Sequence, residues 1–327
     1  MTPGISTGRA QPSEPYPVAE IGNLPITVLM NASSGSADKS AARMAVDTIL
    51  RAAGRNVELL LARRPRDLPM LAQQAAATRP GILVAAGGDG TLNAVASAAH
   101  ARGLPFAVIP LGTFNYFARN LDIPLDSASA ARVIIEGRVR RVPIGQVNGR
   151  LFLNNASIGL YRRLIEHREL HKKRFGRNRV VALLSGLATL LREHRVYLLH
   201  LEIDGQSLTL SSLMVFFGRN ALQMEHLGLD EALCVARGEL AVLALREVDR
   251  LELLGLALRG ALARLETAQN LRQYCALKVQ VDWLDGRDRR IRVAVDGELV
   301  ECTLPLVIET VPDALQVIVP RQPETNR

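Results

Sequence analysis

Ile82-Leu83-Val84-Ala85-Ala86-Gly87-Gly88-Asp89-Gly90-Thr91-Leu92-Asn93 is the stretch that decides the architecture. Its first five residues are apolar and compact, as in a strand buried on both faces. The glycines then let the backbone turn tightly and come close to a phosphate. From Thr91 the pattern becomes helical and continues to about Ala101. A helix that opens on such a loop presents free N–H groups and the positive end of its dipole, which suits an anion. Asp89 does not belong in a plain anion site. It implies a metal ion, a ribose hydroxyl or a catalytic role, unless it only caps the helix of an ordinary strand-to-helix turn.

Outward from this loop the first half alternates strand and helix. Ile26–Met30 reads as a strand, followed by a Ser/Gly loop at Asn31–Ser36 and a helix ending at Gly54. Strands are expected at Val57–Ala62 and Phe106–Leu111, and helices at Leu68–Thr78 and Ser127–Gly137. Such alternation builds a parallel sheet with covered faces. In such a sheet ligands bind at the carboxyl ends of the strands. The loops Asn31-Ala32-Ser33-Ser34-Gly35 and Leu111-Gly112-Thr113-Phe114-Asn115 would therefore meet the glycine loop at one edge.

Beyond about residue 140 the pattern changes. Asn148-Gly149, Asp204-Gly205, Asp285-Gly286 and Asp296-Gly297 are hairpin signals, most of them flanked by β-rich segments. A mainly antiparallel second half is expected, with helical stretches around Val180–His194 and Val248–Leu271. The expected division is a disordered lead-in (1–22), an α/β nucleotide-binding domain (23–142) and a β-sandwich acceptor domain (143–303). A last segment (304–320) is open to returning to the first domain.

Composition narrows the classes. Of 327 residues, 48% are hydrophobic, enough for two cores. The longest central apolar run, Val180–Leu191, is shorter than the roughly 20 residues of a spanning helix. Residues 1–20 carry no secretory signal pattern. Cys234, Cys275 and Cys302 are far apart with no CxxC, which argues against a zinc site and a disulfide framework and for a reducing cytosol. The histidines form no metal pattern and read as surface or core residues.

The net charge of +8 is concentrated. Between Arg162 and Arg179 eight basic residues face two glutamates, a local +6, just before the apolar helix at Val180–Arg192. That pairing suits peripheral docking on an anionic bilayer, and equally a helix packed on the protein beside a solvated loop. Nucleic acid is excluded as a partner. Aromatics total 4%, only Tyr161 and Phe175 lie near the basic segment, and no nucleic-acid motif occurs.

Gly87–Asn93, with Asn31–Gly35, Pro110-Leu111-Gly112-Thr113-Phe114-Asn115-Tyr116-Phe117-Ala118-Arg119-Asn120-Leu121 and Val295-Asp296-Gly297-Glu298, resembles the diacylglycerol kinase catalytic-domain family of bacterial lipid kinases and sphingosine and ceramide kinases. The resemblance spans residues 24–320. It implies a Rossmann-like domain of the type shared with NAD kinases plus a β-sandwich, with the site between them. It also implies transfer of phosphate from ATP, with Mg²⁺, to the hydroxyl of diacylglycerol or a related lipid, by a cytoplasmic protein peripheral to the membrane.

The residues implied at the nucleotide are Asn31, Ser34, Gly35, Gly87, Gly88, Asp89, Gly90, Thr91, Leu92, Asn93, Gly112, Thr113 and Asn115. Asp89, Asp296 and Glu298 would be catalytic, with Glu298 the proton acceptor. No metal ligand set can be named. Ala32 stands where the family has Pro, Tyr116 where it often has Asp, and Arg237 where it has the Asp of an accessory metal site. Asp230, Glu231 and Glu239 are the nearby carboxylates. An NAD kinase, or a nucleotide or lipid sensor without turnover, remains as an alternative. The sequence is silent on oligomeric state.

Overall fold

Three largely apolar runs form the middle of one half of the molecule: β1 (Ile26–Asn31), β3 (Ile82–Gly87) and β4 (Phe106–Pro110), each buried along nearly all its length. Strands with helices on both faces have no solvent side, so they need no polar alternation. The computed structural model describes residues 21–31, 36–159, 196–226, 228–229, 232–249, 252, 270–284 and 289–321. β2 (Val57–Ala62) pairs parallel with β1, β1 with β3, and β3 with β4. Four longer helices accompany them: α1 (Ser36–Ala45), α2 (Leu68–Thr78), α3 (Asp89–Arg102) and, after the short α4 (Tyr116–Asn120), α5 (Ser127–Glu136). Gly103 at φ 62° closes α3, and the Asp126 carboxylate caps α5 by accepting from Ser129 N at 2.8 Å.

The second half is antiparallel. It comprises β5 (Arg138–Val147), β6 (Arg150–Phe152), β7 (Asn155–Gly159), β8 (Tyr197–Ile203), β9 (Gln206–Gly218), β10 (Leu240–Arg246), β11 (Leu271–Ala276), β12 (Lys278–Trp283), β13 (Arg290–Val295), β14 (Glu298–Thr303) and β15 (Leu306–Val319). Two short helices, α6 (Ala221–His226) and α7 (Ala232–Ala236), follow β9. Three of the four hairpin signals are tight turns whose paired residues have positive φ: Asn148-Gly149, Asp204-Gly205 and Asp296-Gly297. Asp285-Gly286 lies outside the described residues, as do the basic segment, the Val180–His194 stretch and most of Val248–Leu271. Leu271 itself begins β11.

The two halves form one mixed sheet of fifteen strands, in the order β14-β13-β7-β9-β8-β12-β15-β4-β3-β1-β2 along its main path. β15 joins them. It pairs antiparallel with β12 and β5, and parallel with β4 through Val317 and Phe106. Leu306 and Ile308 lie in the core of the antiparallel half, and Leu315, Val317, Ile318 and Val319 in that of the α/β half. The expected division between residues 142 and 143 falls inside the strand β5, so the passage between cores is hydrogen-bonded sheet. Among the described residues no helix is long and apolar enough to cross a membrane.

Candidate active site

Adjacent parallel strands place the C-terminal ends of β1, β3 and β4 at one sheet edge. Gly88 is the N-cap of α3, and Asp89 is its first residue. A Cβ on Gly88 would come within 3.3 Å of Gly112 Cα, and one on Gly112 within 3.0 Å of Gly88 Cα. The two loops therefore touch backbone to backbone, leaving peptide groups and the α3 terminus to line the edge. This cradle fits phosphate.

Asn115, at φ 51°, accepts from Gly112 N and donates to Gly112 O, both at 2.9 Å, so its amide braces its own loop. Leu92 and Thr91 are buried. Thr113 is exposed and Asn31, at the end of β1, is half-buried. Ser34 and Gly35 lie outside the described residues.

The second half closes over the α3 terminus through one turn. The buried Asp296 carboxylate accepts from Leu153 N at 2.7 Å, Asn154 N at 2.8 Å, Asn155 N at 3.0 Å and Asn93 Nδ2 at 2.7 Å. Asn93 also donates to Leu151 O. Asp296 is thus the fixed end of the β13–β14 turn. Glu298, two residues on, is exposed, and a Cβ on Gly90 would fall 2.7 Å from its Oε1. Its carboxylate therefore lies against the first turn of α3.

Around Asp89 the network is made of amides. Asn154 Nδ2 donates to Asp89 Oδ1 at 3.4 Å, and Asn220 Nδ2 donates to Asn154 Oδ1 at 2.9 Å. Burial pushes the Asp89 carboxyl above its ordinary value, and the nearby charge of Asp296 pushes it further, against the Asn154 bond. Burial also raises Asp296, opposed by its four donors. A divalent ion would relieve the pair, and oxygen donors are what Mg²⁺ takes. Tyr116 is raised by burial and by Asp89. Its ring stacks on Phe114 with centroids 5.5 Å apart and meets His226 of α6 at 5.6 Å.

Comparison with known proteins matches this frame. Residues 25–147 fit the family model for the diacylglycerol kinase catalytic domain. That stretch is similar to a diacylglycerol kinase catalytic domain. A Pseudomonas aeruginosa PAO1 protein named "Probable lipid kinase YegS-like" is 43% identical over 111 residues, 33% of this chain and 36% of that protein. A diacylglycerol kinase of Staphylococcus saprophyticus is 50% identical over 80 residues, 24% of this chain and 26% of that one. The matched stretches thus span about a third or less of these relatives. A solved structure titled "A putative diacylglycerol kinase from Bacillus anthracis str. Sterne" shares the fold, with a TM-score of 0.68 at 20% identity over 90% of this chain and 97% of that one.

The matched domain ends with β5, so Asn154, Asn220, Asp296 and Glu298 reach it from outside. Asn154, Asn155, Asn220 and Gln223 are the site residues the sequence reading passed over. Their signal was present: Leu153-Asn154-Asn155 and Arg219-Asn220 are polar insertions between apolar runs, each at a strand end.

The expectation against disulfides is overturned. Cys234 of α7 and Cys275 of β11 form a disulfide across 41 residues of sequence, with Cα atoms 5.4 Å apart. Sequence spacing missed it because the antiparallel pairing of β10 with β11 returns the chain to the foot of α7. Arg237 donates to Glu239 Oε2 from Nε at 3.1 Å and from Nη2 at 2.9 Å, and Nη2 also approaches Cys275 Sγ at 3.1 Å. An arginine therefore holds Glu239. Asp230 and Glu231 lie outside the described residues.

Proposed function

We propose that this protein is an ATP- and Mg²⁺-dependent lipid kinase that transfers the γ-phosphate to a lipid hydroxyl. The observation that carries the reading is the convergence at the α3 terminus. A glycine cradle for phosphate, a carboxylate in its first turn and a second carboxylate against Gly90 meet there. The relatives' names support a lipid as acceptor. In this reading the Rossmann-like half holds the nucleotide and the β-sandwich half holds the acceptor.

Phosphoryl transfer is mostly positioning and charge neutralisation. Backbone amides of the Gly88 and Gly112 loops and the α3 terminus bind phosphate oxygens. Asp89 presents its carboxylate as the metal-facing group, and Asn154 orients it. Bound Mg²⁺ supplies neutralisation of phosphate charge. Glu298 accepts the proton of the acceptor hydroxyl as its oxygen bonds to the γ-phosphorus and the β–γ bridge breaks. Asp296 positions the turn that presents Glu298. The basic segment 162–179 and the apolar stretch after it bring the protein to an anionic membrane surface.

The test is transfer of radiolabelled γ-phosphate into a total lipid extract in detergent micelles, with NAD as a parallel acceptor and Asp89→Ala as control. Labelled organic-phase product that disappears in the variant is expected. Label in NAD alone, or nucleotide binding without any transfer, would overturn the lipid-kinase reading.

A further inference from the structure

The turn after α7 gathers three metal-ligating side chains. In it Cys234 O accepts from Arg237 N at 3.1 Å and from Glu239 N at 2.9 Å, with Gly238 at φ 87°. The turn folds Glu239 back toward Cys234 just before β10 begins. β11 pairs with β10 through Ala241 and Cys275, which brings a second sulfur to the same point. One ligand atom from each of Cys234, Cys275 and Glu239 lies within 4.8 Å of the other two.

Arg237 is a second, independent sign. Its guanidinium donates twice to Glu239 Oε2 and approaches Cys275 Sγ, so it orients a carboxylate and a sulfur together. Glu239 Oε1 stays outside those bonds. Ligands held by such outer donors are usual at metal sites. The charges also close. Two thiolates and a carboxylate outweigh one arginine by the charge of a divalent cation. Two thiolates select zinc over Mg²⁺ or Ca²⁺, which take oxygen. At a Zn–S distance of about 2.3 Å, two sulfurs on one tetrahedral ion stand about 3.8 Å apart. The Cα atoms of Cys234 and Cys275, 5.4 Å apart, are close enough for both sulfurs to reach one ion.

We propose that reduced Cys234 and Cys275, with Glu239, bind Zn²⁺, a solvent molecule completing its four ligands. Disulfide and metal are then alternative clamps at one point. A dithiol opens the Cys234–Cys275 bond and becomes a disulfide itself, while the protein gains two electrons and two protons. Each thiol then gives its proton to solvent as its sulfur bonds the ion. Either clamp fixes α7 to the β10–β11 pair. Val235 of α7 and Met224 of α6 share one apolar cluster. Gln223 of α6 donates from its N to Asn220 Oδ1 at 3.1 Å and accepts from Asn155 Nδ2 at 3.0 Å. The clamp therefore steadies the helices beside the Asn220–Asn154–Asp89 chain. The spacing argument against zinc fails as it failed for the disulfide, because strand pairing brings the sulfurs together.

The experiment reduces the full chain with a phosphine, loads it with Zn²⁺ and measures the metal retained after gel filtration. Wild type and Cys302→Ser should keep about one zinc per chain, and chain oxidised beforehand with diamide should keep none. Cys275→Ser should lose the metal, and Glu239→Gln should bind it at least about tenfold more weakly. Co²⁺ added to reduced wild type should give a thiolate-to-cobalt charge-transfer absorption that disappears on oxidation with diamide. That reading needs no variant, so it decides the matter should Cys275→Ser melt early by circular dichroism. Reduced wild type without zinc or without the cobalt absorption overturns the site. So does zinc binding that is unchanged in Cys275→Ser, in Glu239→Gln or after oxidation.

Discussion

Asn93 Nδ2 and Asp296 Oδ2, 203 positions apart, are joined by a 2.7 Å hydrogen bond. It ties the glycine-loop helix to the late β-turn, so the α/β half and the antiparallel half meet at a charged, buried contact. Asp296 closes the contact by taking three backbone N–H groups from Leu153–Asn155. Asp296→Ala would orphan those donors and should lower stability by about 3 kcal/mol or more. Asn93→Ala should cost about 2 kcal/mol, because Asp296 keeps its backbone partners. Urea midpoints of the two variants check the order. An Asp296→Ala midpoint at or above that of Asn93→Ala would remove Asp296 as the anchor.

Glu298 and Gly90 make a second testable pair. Glu298→Gln keeps the shape and removes the proton acceptor, so kcat should fall by about 10²–10⁴ while nucleotide affinity stays close to wild type. Gly90→Ala places a Cβ 2.7 Å from Glu298 Oε1 and should displace that carboxylate. Its kcat should fall in the same direction by a smaller factor. Steady-state kinetics with a nucleotide-binding titration tell the effects apart, and wild-type turnover in Glu298→Gln would refute its role.

Asp89 is held at a disadvantage to the fold. Its carboxyl is raised by burial and by Asp296, so ionised Asp89 destabilises the folded state above its folded pKa. Asp89→Asn should therefore raise the melting temperature near neutral pH without Mg²⁺. The gain should shrink as pH falls and vanish below the unfolded pKa, where the aspartate is protonated in both states. The same variant should lose stabilisation by added Mg²⁺ with nucleotide. Thermal melts across pH test this, and a lower neutral-pH melting temperature in Asp89→Asn would contradict it.

The Cys234–Cys275 bond closes a loop of 41 residues, for which chain entropy gives about 4 kcal/mol. Oxidised protein should yield the Cys234–Cys275 peptide pair on non-reducing digestion and mass spectrometry. Dithiothreitol or Cys234→Ser should lower the melting temperature by several degrees. A melting curve indifferent to reductant would show that the bond does not form in solution.

The sequence by itself determined the local structure wherever the deciding interactions were local. The strand at Ile82, the turn at Gly87–Gly88 and the helix from Asp89 all follow from a run of apolar residues, two glycines without Cβ and a helical apolar pattern. The Asn148, Asp204 and Asp296 turns follow from their Asn-Gly and Asp-Gly pairs. Only the tertiary structure decided what those residues do. Asn115 was expected at the nucleotide, yet its amide closes on Gly112, three residues back. Asp296 was expected to serve catalysis directly, and the fold surrounds it with four donors from two distant segments. The pairing of β10 with β11 created a disulfide that sequence spacing argued against. The same pairing set Glu239 within reach of both sulfurs. Propensity and turn chemistry act over a few residues. Hydrogen-bond satisfaction and burial depend on partners brought from across the chain, and no window of sequence contains them.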